Sequence, residues 1–463
     1  MSKLRRGGSR QPELFPRSKQ PVIPIEPNHR LVRLADELDW SELEARAETI
    51  RASKHKNAAG RPPHLRALLG AMILRATRRM SFRDAEDQIR HYAPARYLCG
   101  LTETDWTPDH NTLHDFTELM GEEGARLINE YVVQLAVDEK LADPEVVVGD
   151  TTAQEAAIPH PNEMGHLAAF MASVALASQK AGRALRGFAQ KSAATFKAAK
   201  EKLRRHRLFA KTREARLKLL KEMVGLVEAT QAKLAVALAA GGQEKERLVR
   251  YGKVAQAKAA QLHETMKKML PQVRYWLRTG KVAAGKIINV HIPELYSIVR
   301  GKVGKAVEFG LKWGFTRLRG GFILAKVSLD KGELTDTKFA VQAVEDCITL
   351  FDKAPRAYAY DRGGWSKENV ARLKRLKVKQ VGLAPQGRAK WPVTGKSRQA
   401  LVRERAQIEA SIGAVKSGRY GFHRPAARSA QMVCACGQQA VLGFNLNKLA
   451  RELAKRNDEA LVG

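Results

Sequence analysis

The sequence predicts an α/β fold in which short strands and helices alternate along the second half of the chain. Two apolar stretches, EVVVGD and RAYAYD, have the length of buried strands and finish on Asp150 and Asp361. Stretches of helical periodicity, such as TKFAVQAVEDCITLF, lie between and after them. We therefore predict that the two aspartates meet at one edge of a mixed sheet, where sites of open α/β folds form.

The composition is that of a large globular protein with a strong positive charge. The chain has 463 residues, of which 44% are hydrophobic, so it can bury a full core and form more than one domain. Its formal net charge of +33 is unusual for an enzyme with a small neutral substrate and predicts a polyanionic partner. Residues 1–150 carry 22 Lys and Arg against 24 Asp and Glu, whereas residues 151–463 carry 59 against 24. The excess begins after Asp150.

The first third of the chain is predicted to be helical after a flexible start. Residues 1–30 are rich in Pro, Arg and Ser, which favours a flexible basic arm. Residues 31–143 form a predicted helical N-terminal domain, in which Ser81 and Asp84 have the spacing of a capping box. One predicted helix is marked by apolar residues at helical spacing, namely Leu65, Leu68, Leu69, Met72 and Ile73.

Residues 164–280 form a predicted basic helical insertion. They carry 25 Lys and Arg against 7 Asp and Glu, with almost no proline, and predict two long helices joined at Gly241-Gly242 as a long helical hairpin. A run of charge on a helix is often only a solvated face, but the excess here is too one-sided for pairing within the helix. The DNA backbone is the partner that we expect to relieve the repulsion. The densest run supplies the candidate DNA contacts Lys202, Arg204, Arg205, Arg207 and Lys211.

The remaining segments, 144–163 and 281–463, are predicted to form the catalytic domain around the sheet. AVEFGLKWGFTRL and GGFILAKVSLDKG predict an antiparallel pair of strands across Gly320-Gly321. A helix, the strand of Asp361, a second helix, the strand KQVGLAP and a third helix follow in that order. Only 48 residues separate Asp361 from Glu409, so the space between these two acids cannot hold a large extra domain.

The third predicted helix carries an acid between two bases. Arg405, Glu409 and Lys416 lie three, seven and fourteen residues after Val402, which places all four positions on one helical face. Glu404 is the competing acid, but its offset of five residues from Glu409 moves it around the helix. We predict that the arginine and the lysine contact phosphate, the former through its bidentate fork and the latter as a point charge. Either could instead be an ordinary surface residue.

Asp150, Asp361 and Glu409 are the predicted catalytic residues and the predicted metal ligands. Carboxylates crowded at a sheet edge repel one another unless cations bridge them, so this set predicts two Mg²⁺ ions, for which Mn²⁺ should substitute. Two such ions serve in-line phosphodiester chemistry. Taken singly, each aspartate has a simpler interpretation, because either Asp150 in GDTT or Asp361 before two glycines can cap a turn.

The order of these residues resembles that of the DDE transposases of bacterial insertion sequences. In that family the third acid lies in a Tyr, Arg, Glu, Lys pattern, which Arg405, Glu409 and Lys416 match in register, whereas Val402 replaces the tyrosine. Stretches such as GRPPHLRALLGAMILRATRRMSFRDAEDQI, PELYSIVRGKVGKAVEFGLKWG and VLGFNLNKLARELAKR extend the resemblance over nearly the whole chain, and the nearest family is ISNCY.

The resemblance implies a ribonuclease H-like catalytic core that cleaves transposon ends and transfers strands to target DNA. It also implies that the helical N-terminal domain binds DNA ends, with a helix-turn-helix around SFRDAEDQIRHYAPARYL, although a bundle that only packs on the core is an equal alternative. A homodimer or higher oligomer on double-stranded DNA is implied as well, because two terminal inverted repeats must be held together. We accordingly expect a cytoplasmic bacterial protein associated with the nucleoid.

Two other functions compete with this hypothesis, and the sequence also bears on membrane segments and disulfide bonds. A transposase-derived DNA-binding protein would need the basic insertion but not the acids, and an RNA-binding protein of the ribosomal kind would not have a nearly neutral first third. No run of about eighteen apolar residues predicts a membrane span, and the polar start lacks the apolar stretch of a secretory signal. Four scattered cysteines are too few for a disulfide framework.

Overall fold

The computed structural model describes residues 25–54, 63–102, 106–182, 185–241, 250–302, 305–385, 387 and 390–462. The protein is α/β, with a mixed open sheet and many helices. The chain divides into two compact units, which are residues 1–156 with 311–463 (unit 1) and residues 157–310 (unit 2). Most of the predicted basic arm, up to residue 24, lies outside the described residues.

Unit 1 begins with helices that bury one apolar face each. The predicted capping box is confirmed, because the Ser81 hydroxyl accepts from the Asp84 amide while the Asp84 carboxylate accepts from the Ser81 amide. The apolar run after Leu65 is likewise helical and almost wholly buried. These helices are α1 (Arg30–Glu37), α2 (Trp40–Lys54), α3 (Leu65–Arg78), α4 (Phe82–His91), α5 (Ala93–Leu98) and α6 (His110–Asp138).

The sheet follows α6. Its strands in unit 1 are ordered β3-β1-β5-β6, with β4 paired to the β3 strand, and both β1-β5 and β5-β6 are parallel. The predicted antiparallel pair is confirmed as β3 and β4, where Trp313 faces Val327 across a turn whose Gly320 and Gly321 have φ of +95° and +89°. The strands are β1 (Asp143–Glu155), β3 (Lys305–Arg319), β4 (Ile323–Val327), β5 (Ala357–Tyr360) and β6 (Gln380–Leu383).

Strand β1 is longer than the sequence predicted. Asp150 does not end it, because the polar segment TTAQ continues the strand to Glu155. The segment stays extended because its polar groups are bonded inside the core: the Gln154 amide donates to the carbonyls of Phe422 and Val433 and accepts from the Trp313 indole. The prediction of a strand that ends at the first aspartate is therefore wrong.

The last helices of unit 1 alternate with the short strands along the chain and complete its hydrophobic core. The C-terminal helix packs along α3 and α6, and its Asn445 amide donates to the Asn129 side chain at 2.7 Å. The preceding helix packs against β1, β5 and β6 through Leu401, Ile408 and Val415, which are buried. These helices are α11 (Asp336–Phe351), α12 (Lys367–Arg375), α13 (Gly395–Lys416) and α14 (Ala430–Val462), and a 3-10 turn spans Arg362–Gly364.

Among its described residues, unit 2 contains four α-helices where the sequence predicted two. The prediction that two helices span all of residues 164–280 is therefore wrong. One long helix does end at Gly241, at the predicted join, and packs against the long helix that follows it, as in a hairpin, while Gly242 itself lies outside the described residues. Gly182 adopts a positive φ of +61° between the first two helices, and the Thr212 hydroxyl accepts from the Ala215 amide at the start of the third. The helices are α7 (Glu163–Lys180), α8 (Arg186–Leu208), α9 (Arg213–Gly241) and α10 (Arg250–Thr279), followed by strand β2 (Tyr296–Lys302), which pairs antiparallel with the first part of β3.

Helix α9 is long and apolar enough to cross a membrane, judged by length and composition alone. Its most apolar stretch of eighteen residues has a mean hydropathy of 1.4. No membrane span was predicted from the sequence because the chain has no uninterrupted run of about eighteen apolar residues, whereas an average over the same length tolerates single charges. Met223, Val227 and Leu234 of α9 are fully buried in the core of unit 2, although only 28% of its most apolar stretch is buried.

Candidate active site

The pairing of β1 with β5 brings the two predicted aspartates side by side. Val146 faces Ala357 and Val148 faces Ala359 in this parallel register. The same register, continued two residues further, places Asp150 next to Asp361 just beyond the end of β5. The apolar residues of both strands are buried, so the core holds the register that sets the two carboxylates together.

The environment of Asp150 disfavours its negative charge. Burial raises the pKa of this carboxyl to about 7, with further contributions from the negative charges of Asp361, Asp336 and Glu409. One hydrogen bond, from the Thr151 amide at 2.8 Å, favours the ionised form. No lysine or arginine in the described part of the chain forms an ion pair with this carboxylate. A carboxylate in such surroundings is stabilised by a cation.

Asp361 combines a turn cap with a place at the same edge. Its carboxylate accepts from the Gly363 amide at 2.9 Å, so the simpler interpretation of a turn aspartate is correct as far as it goes. Burial nevertheless raises the pKa of this carboxyl, and the negative charge of Asp336 adds to the rise, whereas the positive charge of Arg405 opposes it. The residue therefore caps its turn and also belongs to the acidic cluster.

Helix α13 presents Glu409 to this edge of the sheet. Ile408 and Ile412 are buried beneath the helix, while the Glu409 side chain is 68% exposed and acts electrostatically on Asp150. Arg405 lies one turn earlier, with its guanidinium 3.8 Å from the Glu409 carboxylate. Lys416 ends the helix and is half-buried. The predicted helical face thus exists, and its acid and its arginine both act on the aspartates.

Glu404 points to a different part of unit 1. Its carboxylate lies 3.2 Å from the buried guanidinium of Arg317 and 3.4 Å from that of Arg319. The competing acid is therefore engaged with strand β3. Since a buried arginine needs its partner, this carboxylate has a structural role that accounts for its presence.

The sequence analysis missed Asp336, the first residue of α11. Its carboxylate accepts from the Thr151 hydroxyl, from the Lys312 ammonium at 2.9 Å and from the Tyr360 hydroxyl at 3.5 Å. These hydrogen bonds lower its pKa, so it is a permanent negative charge beside the two aspartates. In the sequence it follows Thr335, the cap of the helix, and an acid in a first turn is too common to attract notice.

The donor set of this edge fits a hard divalent cation. Asp150, Asp361 and Glu409 offer only carboxylate oxygens, which Mg²⁺ and Mn²⁺ prefer, and none of the three is held by a lysine. Within the described ranges, the single group of ligand atoms that all lie within 4.8 Å of one another is His114, Asp115 and Glu118 on the exposed side of α6. Asp150, Asp361 and Glu409 do not form a group that compact among the described residues.

The predicted DNA contacts of unit 2 lie at the end of α8 and the start of α9. Arg205, Arg207 and Lys211 are exposed. Lys202 instead pairs with Glu222 across the two helices, and Arg204 lies 3.6 Å from Glu201. Three of the five predicted contacts are thus available to a polyanion, and two have intramolecular partners.

Comparison with known proteins identifies a domain at the start of the chain. Residues 21–119 match the family described as Transposase domain (DUF772). This match supports a transposase role for the protein. No curated protein and no solved structure matches the chain.

Proposed function

We propose that the protein is a DDE-type DNA transposase, which binds transposon ends and catalyses metal-dependent strand cleavage and strand transfer. The observation that carries the proposal is the register of β1 and β5, which puts Asp150 beside Asp361 with Glu409 on the helix packed against both strands. A carboxyl pKa that is raised by burial and by neighbouring acids, as that of Asp150 is, is a frequent mark of a functional site. The match of residues 21–119 to a transposase domain independently supports the transposase role, which is the coarser part of the proposal.

We further propose that the catalytic core is ribonuclease H-like and that the protein is closest to the ISNCY family. The order of elements supports this: a long first strand, an antiparallel partner pair, then alternating helices and parallel strands that end in the helix of the third acid. Unit 2 enters between the first strand and the antiparallel pair, so the insertion separates Asp150 from Asp361 in sequence but not in the sheet.

The proposed chemistry is phosphoryl transfer at phosphodiester bonds of DNA. Two Mg²⁺ ions held by Asp150, Asp361 and Glu409 would activate the attacking hydroxyl and stabilise the leaving oxygen. Water attacks first, which breaks the bond to the 3′ oxygen and leaves a 3′-hydroxyl and a 5′-phosphate. That hydroxyl would then attack a phosphate of target DNA, which forms a new phosphodiester bond, breaks the bond of that phosphate to the target's 3′ oxygen and releases a 3′-hydroxyl on the target strand. Arg405 and Lys416 supply positive charge for the phosphates on either side.

We also propose the wider setting that the resemblance implies. The partners are double-stranded DNA of the terminal inverted repeats and of the target, and the working form is a homodimer or higher oligomer on that DNA. A cytoplasmic, nucleoid-associated location follows from such a substrate. The formal charge of +33 supports a polyanionic partner, whichever sequence it recognises.

The deciding experiment is Mg²⁺-dependent nicking of a duplex that carries the DNA flanking the protein's own gene. We expect a new 3′-hydroxyl end with the unaltered protein and none with Glu409→Gln. Glu404→Gln is the matched control on the same helix. This substitution weakens the ion pair with Arg317, so the assay is run at a temperature at which the variant is still folded, and there it should cleave. Loss of cleavage in the control alone would make Glu404 the third acid.

The second candidate function is a transposase-derived protein that binds DNA without cutting it. The same duplex distinguishes the two functions. Tight binding by the unaltered protein, with no nicking in Mg²⁺ or Mn²⁺, would establish this alternative and would leave the acids without a catalytic role.

A further inference from the structure

A basic pocket of about 360 Å³ lies in unit 1 between α1, the turn after α13 and α14. Five of its lining side chains are cationic, and none is a carboxylate. The pocket is separate from the acidic edge of the sheet and contains none of the DNA contacts assigned above. The five cations are Arg30, Arg33, Arg419, Lys448 and Arg451.

The charge of this pocket is only partly balanced. Lys448 and Arg451 both contact Glu452, at 3.6 and 3.2 Å. Arg30 and Arg419 have no carboxylate partner among the residues that the structure describes. Burial lowers the pKa of the Arg30 guanidinium, and the positive charges of Arg419 and Arg78 lower it further. Two mutually repelling guanidinium groups thus line a cavity, as they would at a site that holds an anion.

The wall that carries Arg419 is firmly positioned. The Tyr420 and Phe444 rings meet edge to face with their centroids 5.9 Å apart, and the Arg419 guanidinium lies 5.5 Å from the Tyr420 ring. Arg79 of the neighbouring helix donates to the Gly418 carbonyl and so fixes the turn. Arg419 is an exposed residue whose guanidinium lies against this aromatic wall.

We propose that this pocket binds phosphodiester groups of duplex DNA, as a contact that extends the DNA path beyond the active site. The proposal rests on the proposed function. Guanidinium groups bind phosphate oxygens through paired hydrogen bonds, and the pocket offers four of them. Arg419 follows Lys416 by three residues, which limits their separation to about 11 Å along the chain. A strand held by Lys416 near the acids can therefore continue into the pocket within a few phosphates.

The test is the salt dependence of DNA binding, measured in EDTA so that no strand is cut. The double variant Arg30→Gln/Arg419→Gln should bind a duplex about ten- to a hundredfold more weakly and should lower the slope of log affinity against log salt by about 2. Arg33→Gln/Lys448→Gln provides a second, independent pair on the same pocket. The matched control is Arg356→Gln/Arg375→Gln. Both residues are exposed cations, Arg356 just before β5 and Arg375 at the end of α12, and we expect this variant to keep the salt slope of the unaltered protein.

The outcomes separate this proposal from the proposed function. If the unaltered protein binds DNA and both pocket variants keep its affinity and slope while remaining folded, the pocket is not a DNA contact. A fall of equal size in the control pair would overturn the proposal too, because it would reflect net charge alone. Failure of the unaltered protein to bind any duplex would overturn both proposals together.

Discussion

At the scale of single residues, Asp150 is held in surroundings that disfavour its charge. The carboxyl is largely buried beside two other acids, and its pKa is raised from 3.8 to about 7. A raised pKa means that the neutral form is favoured by folding, so this residue costs stability once it ionises. That cost is absent below about pH 4 and is fully developed above about pH 7, where the folded protein must carry the charge.

We predict that Asp150→Asn stabilises the metal-free protein, and more so at high pH. The gain in the free energy of unfolding should grow by about 2 kcal/mol between about pH 5 and about pH 8, because only the natural side chain ionises over that range. Thermal unfolding in EDTA at both values measures it. Saturating Mg²⁺ should reduce the difference in the free energy of unfolding between Asp150→Asn and the unaltered protein at about pH 8, because only the carboxylate of the unaltered protein binds the cation. If the gain in the free energy of unfolding does not change with pH, the negative charge of Asp150 is not its cause.

At the scale of elements, strand β1 is packed very closely against β5 just before Asp150. Gly149 precedes it, and a Cβ there would overlap the Tyr358 hydroxyl and lie 2.8 Å from the Tyr360 ring. Both tyrosines are buried on β5, so neither has room to withdraw. The close contact between these strands therefore depends on a residue without a side chain.

We predict that Gly149→Ala lowers stability by about 1–3 kcal/mol and abolishes cleavage, because β1 must shift and move Asp150 out of register with Asp361. Gly225→Ala is the matched control, since this glycine lies inside α9 with nothing near its missing side chain. The same substitution there should raise stability by about 0.5–1 kcal/mol through helix propensity. Destabilisation of similar size in both variants would mean that the crowding at β1 is unimportant.

The elements that the sequence predicted well are those defined by local patterns. Strand β5, the pair β3-β4 and the helix α13 that carries Glu409 each follow from apolar patterns within about twenty residues. The place of Asp336 could not be predicted, because only the packing of α11 on β1 brings it to Thr151. The break between α8 and α9 was missed for a different reason: LFAKT contains no Gly or Pro, and Thr212 is recognisable as a cap only once the helices turn.

At the scale of the whole molecule, the positive charge is concentrated in the helices of unit 2. If these helices bind DNA, their exposed cations release counterions from it, and binding weakens steeply with salt. We predict that neutralising Arg205, Arg207 and Lys211 together to Gln lowers the slope of log affinity against log salt by about 2 to 3. Fluorescence anisotropy of a labelled duplex over a salt series measures this slope.

Lys202 provides the matched control for that prediction. Its ammonium pairs with Glu222 of α9, so Lys202→Gln should leave the slope nearly unchanged and weaken the contact between two helices instead. A slope that stays unaltered in the triple variant would mean that the charge of unit 2 faces only solvent.

The packing of α14 on the first helices links the two ends of the sequence. Asn445 bonds to Asn129 of α6, and Asn447 donates to the Thr77 carbonyl of α3. Since a ribosome makes α14 long after α3 and α6, the apolar faces of α3 and α6 that α14 covers remain open until residues 430–462 have been made. Nascent chains that stop before residue 430 would expose those faces to chaperones and proteases, so a frameshift or premature stop upstream of α14 should yield degraded protein rather than a stable DNA-binding fragment.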